Sequence, residues 1–211
     1  MKPCFAPVEF DLLRSLTRCI RVLEFTQIRA GWWPAVRRHR GIGQQIARLE
    51  STGLLETFCI NAHPLLLVDQ PLCAWQSGTD EPNFEAISNA ARERWCRPSV
   101  PTMVCVATPL TANLFGSGGY GLPPQEHRDH DLRLAAVYLH YRQKHAPLAK
   151  MWVGEHALPK AGYRVKDPDA FLIDKTGNIL RVVESAGHYS SKAVESFHEH
   201  CVENNLSYEL W

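Results

Sequence analysis

The stretch DPDAFLIDKTGNILRVVE, residues 167–184, decides the fold class of this chain. It contains two apolar, β-prone runs, residues 169–174 and 179–184, which the turn sequence Thr-Gly-Asn separates. Two such runs joined by a glycine-containing turn predict an antiparallel β-hairpin. The chain around residue 170 is therefore expected to lie in a β-sheet.

Outward from this hairpin, the C-terminal third of the chain is predicted to form one α/β unit. An apolar stripe at helical spacing precedes the hairpin, and a second amphipathic segment, with Ser190 or Ser191 as its N-cap, follows it. The predicted elements are a helix over residues 130–145, strands over 151–158, 169–174 and 179–184, a helix over 190–204 and a strand over 206–211. The order is α-β-β-β-α-β.

Two carboxylates occupy matching ends of the predicted hairpin. Asp169 begins the first strand, and Glu184 ends the second strand fifteen residues later. Hairpin geometry brings these positions to the same end of the sheet, and Glu155 on the preceding segment is a third candidate carboxylate. Carboxylate oxygens with room for water suit a hard cation such as Mg²⁺ or Mn²⁺, which can orient a water against a phosphodiester. A turn aspartate and a solvated strand-end glutamate are the alternative interpretation.

The N-terminal part of the chain predicts a winged helix-turn-helix. The predicted elements are helices over residues 8–19, 26–33 and 41–52, a short extended piece over 21–25, and β-rich runs over 55–60 and 65–68. Helix, strand, helix, helix and hairpin is the order of a winged helix.

The third predicted helix carries basic and amide side chains at its start and on its outer face. These are Arg37, Arg38, Arg40, Gln44, Gln45 and Arg48. In helix-turn-helix proteins this helix enters the major groove, where Arg and Gln read base edges and Arg also contacts phosphates. The sequence therefore predicts binding to double-stranded DNA. The alternative is a solvated basic helix on a module that contacts proteins.

Composition excludes several classes of protein. The chain has 211 residues, 45% of them hydrophobic and 21% charged, with a formal net charge of +1, so a folded core is expected. Seven scattered cysteines without a close pair favour buried thiols in a reducing compartment. No apolar run approaches the roughly 20 residues of a membrane span, and the first residues lack a signal-peptide core. We expect a cytoplasmic protein that does not enter a membrane.

The predicted organisation is a winged helix over residues 1–76, a linker with a short helix and strand over 77–128, and the α/β domain over 129–211. Within the linker, residues 116–124 are rich in glycine but lack the spacing of a phosphate-binding loop, so a flexible loop is predicted. His127 and His130 could form a metal cluster, but a loop that leads into the helix is the favoured interpretation.

The motifs resemble the PD-(D/E)XK phosphodiesterase superfamily, which has the restriction-endonuclease-like fold. Pro168-Asp169 is similar to its first motif and Glu184 to the acidic position of the second. With the winged helix, the whole chain resembles the replication-relaxation family of plasmid and mobile-element proteins. The segments that carry this resemblance are Gly53-Leu54-Leu55, His130-Asp131-Leu132, Trp152-Val153-Gly154-Glu155, Pro168-Asp169-Ala170 and Val183-Glu184.

One position departs from the superfamily pattern. The resemblance implies a lysine two residues after the acid, where it would position the attacking water, but Ala186 stands there. Lys192, in the first turn of the following helix, is the preferred substitute, and Lys166 and His188 are weaker ones. The replication-relaxation pattern also tends to lack this lysine, so the resemblance leaves the activity open.

Three functions follow as hypotheses. The first is a DNA-binding protein of a plasmid, mobile element or defence locus with a degenerate nuclease-like domain. The second is an active endonuclease or nickase that uses Mg²⁺ or Mn²⁺, with Asp169, Glu184 and Lys192 as its catalytic residues. The third is a protein-interaction module without enzymatic activity. Assembly as a homodimer is left open.

Overall fold

The structure is a computed structural model that describes residues 5–35, 39–64, 69–93, 97–158 and 168–211. Within these ranges it contains eight α-helices and two β-sheets, which confirms the predicted mixed α/β class. The helices are α1 Pro7–Arg18, α2 Phe25–Trp32, α3 His39–Ser51, α4 Phe84–Glu93, α5 Pro109–Phe115, α6 Arg128–Lys144, α7 Ala146–Ala149 and α8 Ser191–Glu203. The strands are β1 Val22–Glu24, β2 Leu55–Ala62, β3 Cys73–Trp75, β4 Val100–Ala107, β5 Trp152–Gly154, β6 Ala170–Ile173, β7 Ile179–Glu184 and β8 Tyr208–Leu210. None of these helices combines the length and apolar composition needed to cross a bilayer.

The first sheet has the strand order β1-β4-β2, and both of its pairings are antiparallel. Strand β4 lies in the middle of the sheet, and four consecutive residues in its second half are buried. A continuous buried run is typical of a strand that is covered on both faces. It pairs with β2 along eight residues, from Leu55 opposite Ala107 to Ala62 opposite Val100. The predicted partner of β2, residues 65–68, lies outside the described residues.

Helix α3 packs its apolar face against α2 and β2. Ile42, Ile46 and Leu49 recur at helical spacing, and each is buried in the main core. The helix ends before Gly53, whose φ of 73° is a left-handed conformation that glycine adopts without strain. The predicted helix over residues 41–52 is therefore confirmed with nearly the same bounds.

The second sheet has the strand order β3-β8-β7-β6-β5. Strands β5, β6 and β7 form an antiparallel meander, and α8 connects β7 to the parallel strand β8. The order from α6 to β8 is the predicted one, with the short helix α7 added. The predicted strand over residues 151–158 is shorter than expected, because a 3-10 turn, Glu155–Ala157, begins directly after β5.

The second sheet lies between two helical layers. Val183 on β7 belongs to the core cluster that contains α6, whereas the preceding Val182 belongs to the cluster that contains α8. Successive side chains on a strand point to opposite faces, so this alternation places α6 and α8 on opposite sides of the sheet. The hydrophobic run at residues 179–184 thus reflects a strand buried on both faces over its second half.

Helix α6 joins the two sheets into one structure. It packs against β1 and α2 of the N-terminal half and shares a continuous core with Trp152 and Leu172 of the second sheet. Two buried polar contacts fix its position. The hydroxyls of Tyr138 and Ser15 lie 3.0 Å apart, and Gln27 Nε2 donates to the Leu132 carbonyl at 2.9 Å.

The segment predicted as a linker is divided between the two sheets. Strand β4 belongs to the first sheet, whereas α4 packs against α8 of the second sheet. Strand β3, at the end of the segment predicted as the winged helix, pairs with β8 in the second sheet. The predicted boundaries at residues 76 and 128 therefore do not coincide with the limits of either sheet. Local sequence patterns do not reveal this exchange, because they do not encode the contacts that pair distant strands.

Candidate functional site

Asp169 and Glu184 lie side by side at one end of the second sheet. Ala170 is paired with Val183, so the residues that flank this pair are neighbours. The backbone N–H of Asp169 donates to Glu184 Oε2 at 3.1 Å. Each residue is only 1% exposed. Hairpin register thus produces the proximity that the sequence predicted.

The groups that lie against the Asp169 carboxylate include an imidazole and a backbone N–H. His130 Nε2 lies 2.9 Å from Asp169 Oδ2, and the Ser185 N–H donates to the same oxygen at 2.8 Å. His130 stands in the first turn of α6, and its other ring nitrogen, Nδ1, lies 3.3 Å from Asp131 Oδ1. The first turn of α6 is thereby tied to the start of β6.

The Glu184 carboxylate is held by hydrogen bonds from the loop before α8 and from the Asp169 backbone. Tyr189, in the loop before α8, donates its hydroxyl proton to Glu184 Oε1. Both Glu184 oxygens therefore accept hydrogen bonds from the protein, Oε1 from Tyr189 and Oε2 from the Asp169 backbone. A buried carboxylate is tolerated only when its oxygens find such donors, so these contacts explain how Glu184 can be buried.

The remaining predicted site residues stand further out. Glu155 begins the 3-10 turn after β5, and its N–H donates to the Asp169 carbonyl at 3.0 Å while its side chain is exposed. Lys192 is exposed in the first turn of α8, and Tyr189, just before that helix, contacts Glu184. Lys166 lies outside the described residues.

A cavity of about 270 Å³ opens beside His130. Its lining residues are His63, Glu126, His127, Asp129, His130, Gly187 and His188. His63 is fixed there by Asp129, which accepts from the His63 backbone N–H at 2.7 Å and lies 2.8 Å from its Nδ1. The predicted loop before α6 therefore forms one wall of a cavity.

The described residues do not fit a hard divalent cation as they stand. Mg²⁺ takes about six oxygen ligands in near-octahedral geometry, whereas protein donors already engage Asp169 Oδ2 and both oxygens of Glu184. In the described part of the chain no group of three His, Cys, Asp or Glu side chains could hold a metal ion. A metal site formed by Glu155, Asp169 and Glu184 therefore stays a prediction from the sequence.

The predicted DNA-binding surface is described in part. Arg37 and Arg38 lie outside the described residues, and for Arg40 only its place in the first turn of α3 is described. Gln44 is exposed and Gln45 half-buried. Among the described side chains of this predicted surface, Gln44 is therefore open to solvent.

Arg48, at the other end of α3, has a contact that the sequence did not predict. It forms an ion pair with Glu9 of α1, and its side chain is 51% exposed. The buried Glu9 also accepts the Ala6 N–H at 2.9 Å, which completes the start of α1. Arg48 therefore joins α1 to α3, besides any role at the surface.

Sequence reasoning missed His130 and Tyr189 as members of the carboxylate site. His130 was predicted as the first residue of a helix, and its contact with Asp169 across 39 residues of chain has no local pattern that could reveal it. Tyr189 carried no signal, since its contact with Glu184 depends on how the loop after β7 turns.

Comparisons with protein-family models, with curated proteins and with solved structures find no match to this chain. The functional interpretation therefore rests on the sequence and on the contacts described above.

Proposed function

We propose that this chain binds double-stranded DNA through a winged helix and carries a nuclease-like domain that has become degenerate. The observation that carries the proposal is the topology of the N-terminal half. Elements α1, β1, α2, α3 and β2 follow one another, and β4, which comes after β3 and α4, completes a sheet with the order β1-β4-β2. A winged helix likewise has three helices and a three-stranded sheet with its last strand in the middle, although here the segment between β2 and β4 is long.

The surface of α3 supports the same interpretation. Its apolar face is buried in the core, which leaves the face with Gln44 and Arg48 toward solvent. In helix-turn-helix proteins the corresponding helix lies in the major groove, and its N-terminal residues reach the bases. Arg40 stands in that first turn, and Arg37 and Arg38 precede it in the sequence.

The C-terminal half supports a nuclease-like ancestry with a closed site. Helices on both faces of a β5-β6-β7 meander, with β8 parallel to β7, agree with the resemblance to the restriction-endonuclease-like fold. The contacts of Asp169 and Glu184 with His130 and Tyr189 favour a structural role for the two acids. The assignment to a plasmid, mobile-element or defence locus rests on the resemblance alone.

A metal-dependent nuclease is the second candidate, and one observation favours it. The register of β6 and β7 puts two carboxylates at one sheet end, beside a cavity. If ligand binding displaced His130 and Tyr189, both acids would become available. If the chain neither binds nor cleaves DNA, the third hypothesis, a module that binds only proteins, would be favoured.

Duplex-DNA binding at increasing salt tests the first candidate. Replacing Arg37, Arg38 and Arg40 together by alanine should weaken binding and reduce the slope of log affinity against log salt by up to about 3, at roughly 0.9 per phosphate contact. The matched control removes the same charge from exposed positions elsewhere, and its residues are Lys144, Lys150 and Lys175. Equal effects of both triple variants would contradict the assignment to α3.

Plasmid nicking with Mg²⁺ or Mn²⁺ separates the two candidates. The proposal predicts that the wild type nicks plasmid DNA no more than the Asp169→Ala and Glu184→Ala variants do. Cleavage by the wild type that both variants abolish would select the nuclease instead.

A further inference from the structure

Strand β3 lies at an edge of the second sheet, where β8 is its one neighbour among the described strands. On β8, the Trp211 N–H donates to the Glu184 carbonyl of β7. Backbone polar groups alternate in direction along a strand, so those of Leu210 point to β3, where Leu210 is paired with Cys73. The polar groups of the next residue, Ala74, therefore point away from β8 at the sheet edge.

A cavity of about 430 Å³ lies beside this edge, between β3 and α4. Its lining residues are Leu72, Cys73, Pro82, Asn83, Ala86, Ile87 and Ala90. Ala86 and Ala90 stand one turn apart on α4, and their short side chains leave room between the helix and the strand. The edge and the cavity together form a groove, which we call the β3–α4 groove.

The β3–α4 groove has the shape and chemistry for an added β-strand. A strand that pairs with Ala74 directs alternate side chains to opposite faces of the sheet. Cys73 and Trp75 pack in the core cluster that contains Ile87 of α4, so one of these faces is the one that α4 covers. A side chain of the added strand on that face therefore enters the cavity. In strand addition, backbone hydrogen bonds supply affinity and side-chain pockets supply specificity.

The charge at one end of the groove indicates which extended segments fit. Asp80, Glu81 and Glu85 are exposed around the start of α4, next to the lining residues Pro82 and Asn83. Arg92 lies at the opposite end of α4 and donates to the Ser88 hydroxyl at 3.0 Å. Complementary charge across an interface favours the matching partner, so lysine or arginine beside the apolar side chain is expected.

We propose that the β3–α4 groove docks an extended segment of a partner protein. The segment adds a strand at Ala74, places one apolar side chain in the cavity and carries basic residues beside it. This interaction goes beyond DNA binding and does not depend on it, because the groove contains no residue of α3. A chain without affinity for DNA would still dock the segment, so the two proposals fail separately.

Selection of phage-displayed random twelve-residue peptides on the full-length protein tests the proposal. The enriched peptides should share one apolar position with lysine or arginine beside it. Ala86→Trp fills the cavity from an exposed helix position and should lose these peptides. Asn89→Trp, at an exposed position of α4 outside the lining, is the matched control and should retain them. No enrichment on the wild type over Ala86→Trp would overturn the proposal.

Charge reversal tests the acidic end of the groove with a synthetic peptide of the selected sequence. Glu81→Lys combined with Glu85→Lys should weaken binding by at least about tenfold in fluorescence anisotropy at low salt. The control reverses two exposed acids elsewhere, Glu56 and Glu199, and should change affinity much less. Equal losses for the two double variants would refute the assignment to the start of α4.

Two measurements on the same peptide test strand addition at Ala74. Methylation of a peptide nitrogen that donates to the Ala74 carbonyl should weaken binding by about tenfold, the effect of one lost hydrogen bond. Bound peptide should also slow alkylation of Cys73 by iodoacetamide several-fold, while the exposed Cys59 reacts at an unchanged rate. Binding that tolerates methylation at every position, or that leaves Cys73 equally reactive, would overturn the proposal.

Discussion

The imidazole of His156 provides the clearest test of how the two halves of the chain are joined. It lies in the 3-10 turn after β5, and its Nε2 is 3.1 Å from the carbonyl oxygen of Thr17 in α1. Burial lowers the pKa of His156 to about 4, and the nearby positive charge of Arg21 acts in the same direction. The hydrogen bond to Thr17 opposes both effects only in part. His156 is therefore neutral in the folded protein at neutral pH.

The lowered pKa makes stability depend on pH in a defined window. In the unfolded chain the pKa of His156 returns to about 6.5, so the unfolded state binds the proton first as the pH falls. The free energy of unfolding should decrease from about pH 6.5 to about pH 4 and level off below that. A difference of about 2.5 between the two pKa values corresponds to a loss of about 3 kcal/mol from this residue.

Urea unfolding monitored by tryptophan fluorescence across that pH range measures the effect. The His156→Gln variant keeps an N–H that can reach the Thr17 carbonyl but cannot take up a proton, so its stability should fall less steeply. His127→Gln removes an exposed imidazole and should reproduce the wild-type profile. Parallel profiles for wild type and His156→Gln would refute the assignment of a buried neutral imidazole.

Two further substitutions, one of them with a matched control, test the packing of the joint and of the carboxylate site. A Cβ on Gly154 would lie 2.8 Å from the Cys19 carbonyl oxygen, so Gly154→Ala should lower the free energy of unfolding in urea by about 1–3 kcal/mol. The control is Gly43→Ala on α3, where a Cβ meets nothing within 4 Å. This substitution should raise the free energy of unfolding by about 0.5–1 kcal/mol. Tyr189→Phe removes a donor from the buried Glu184 and should lower the unfolding free energy by about 1–3 kcal/mol, and an unchanged value would show that the hydroxyl contributes nothing.

The sequence was sufficient where structure is determined by local pattern. Ile42, Ile46 and Leu49 identified the buried face of α3, and Ser190 was correctly expected as a candidate N-cap, since its hydroxyl accepts the Ala193 N–H at 3.2 Å. The hairpin pattern at residues 167–184 likewise predicted that Asp169 and Glu184 would be neighbours. In each case the spacing along the chain determines the geometry.

The sequence was insufficient where contacts join distant segments. The glycine-rich residues 116–124 were expected to form a flexible loop, yet the Ser117 hydroxyl donates to the Thr17 carbonyl and Gly119 packs against the His156 ring. Strand β4 pairs with β1 and β2 only because the chain returns to the first sheet after the 37 residues that separate β2 from β4. Neither contact has a local pattern that could reveal it.

The dependence of duplex-DNA affinity on salt tests the central proposal most directly. If the winged helix binds the phosphate backbone through Arg40 and its basic neighbours, log affinity should fall linearly with log salt with a slope of about −3 or steeper. Fluorescence anisotropy with a labelled duplex across a range of salt concentrations gives that slope. Absence of binding at low salt, or a slope near zero, would contradict the account of this chain as a DNA-binding protein.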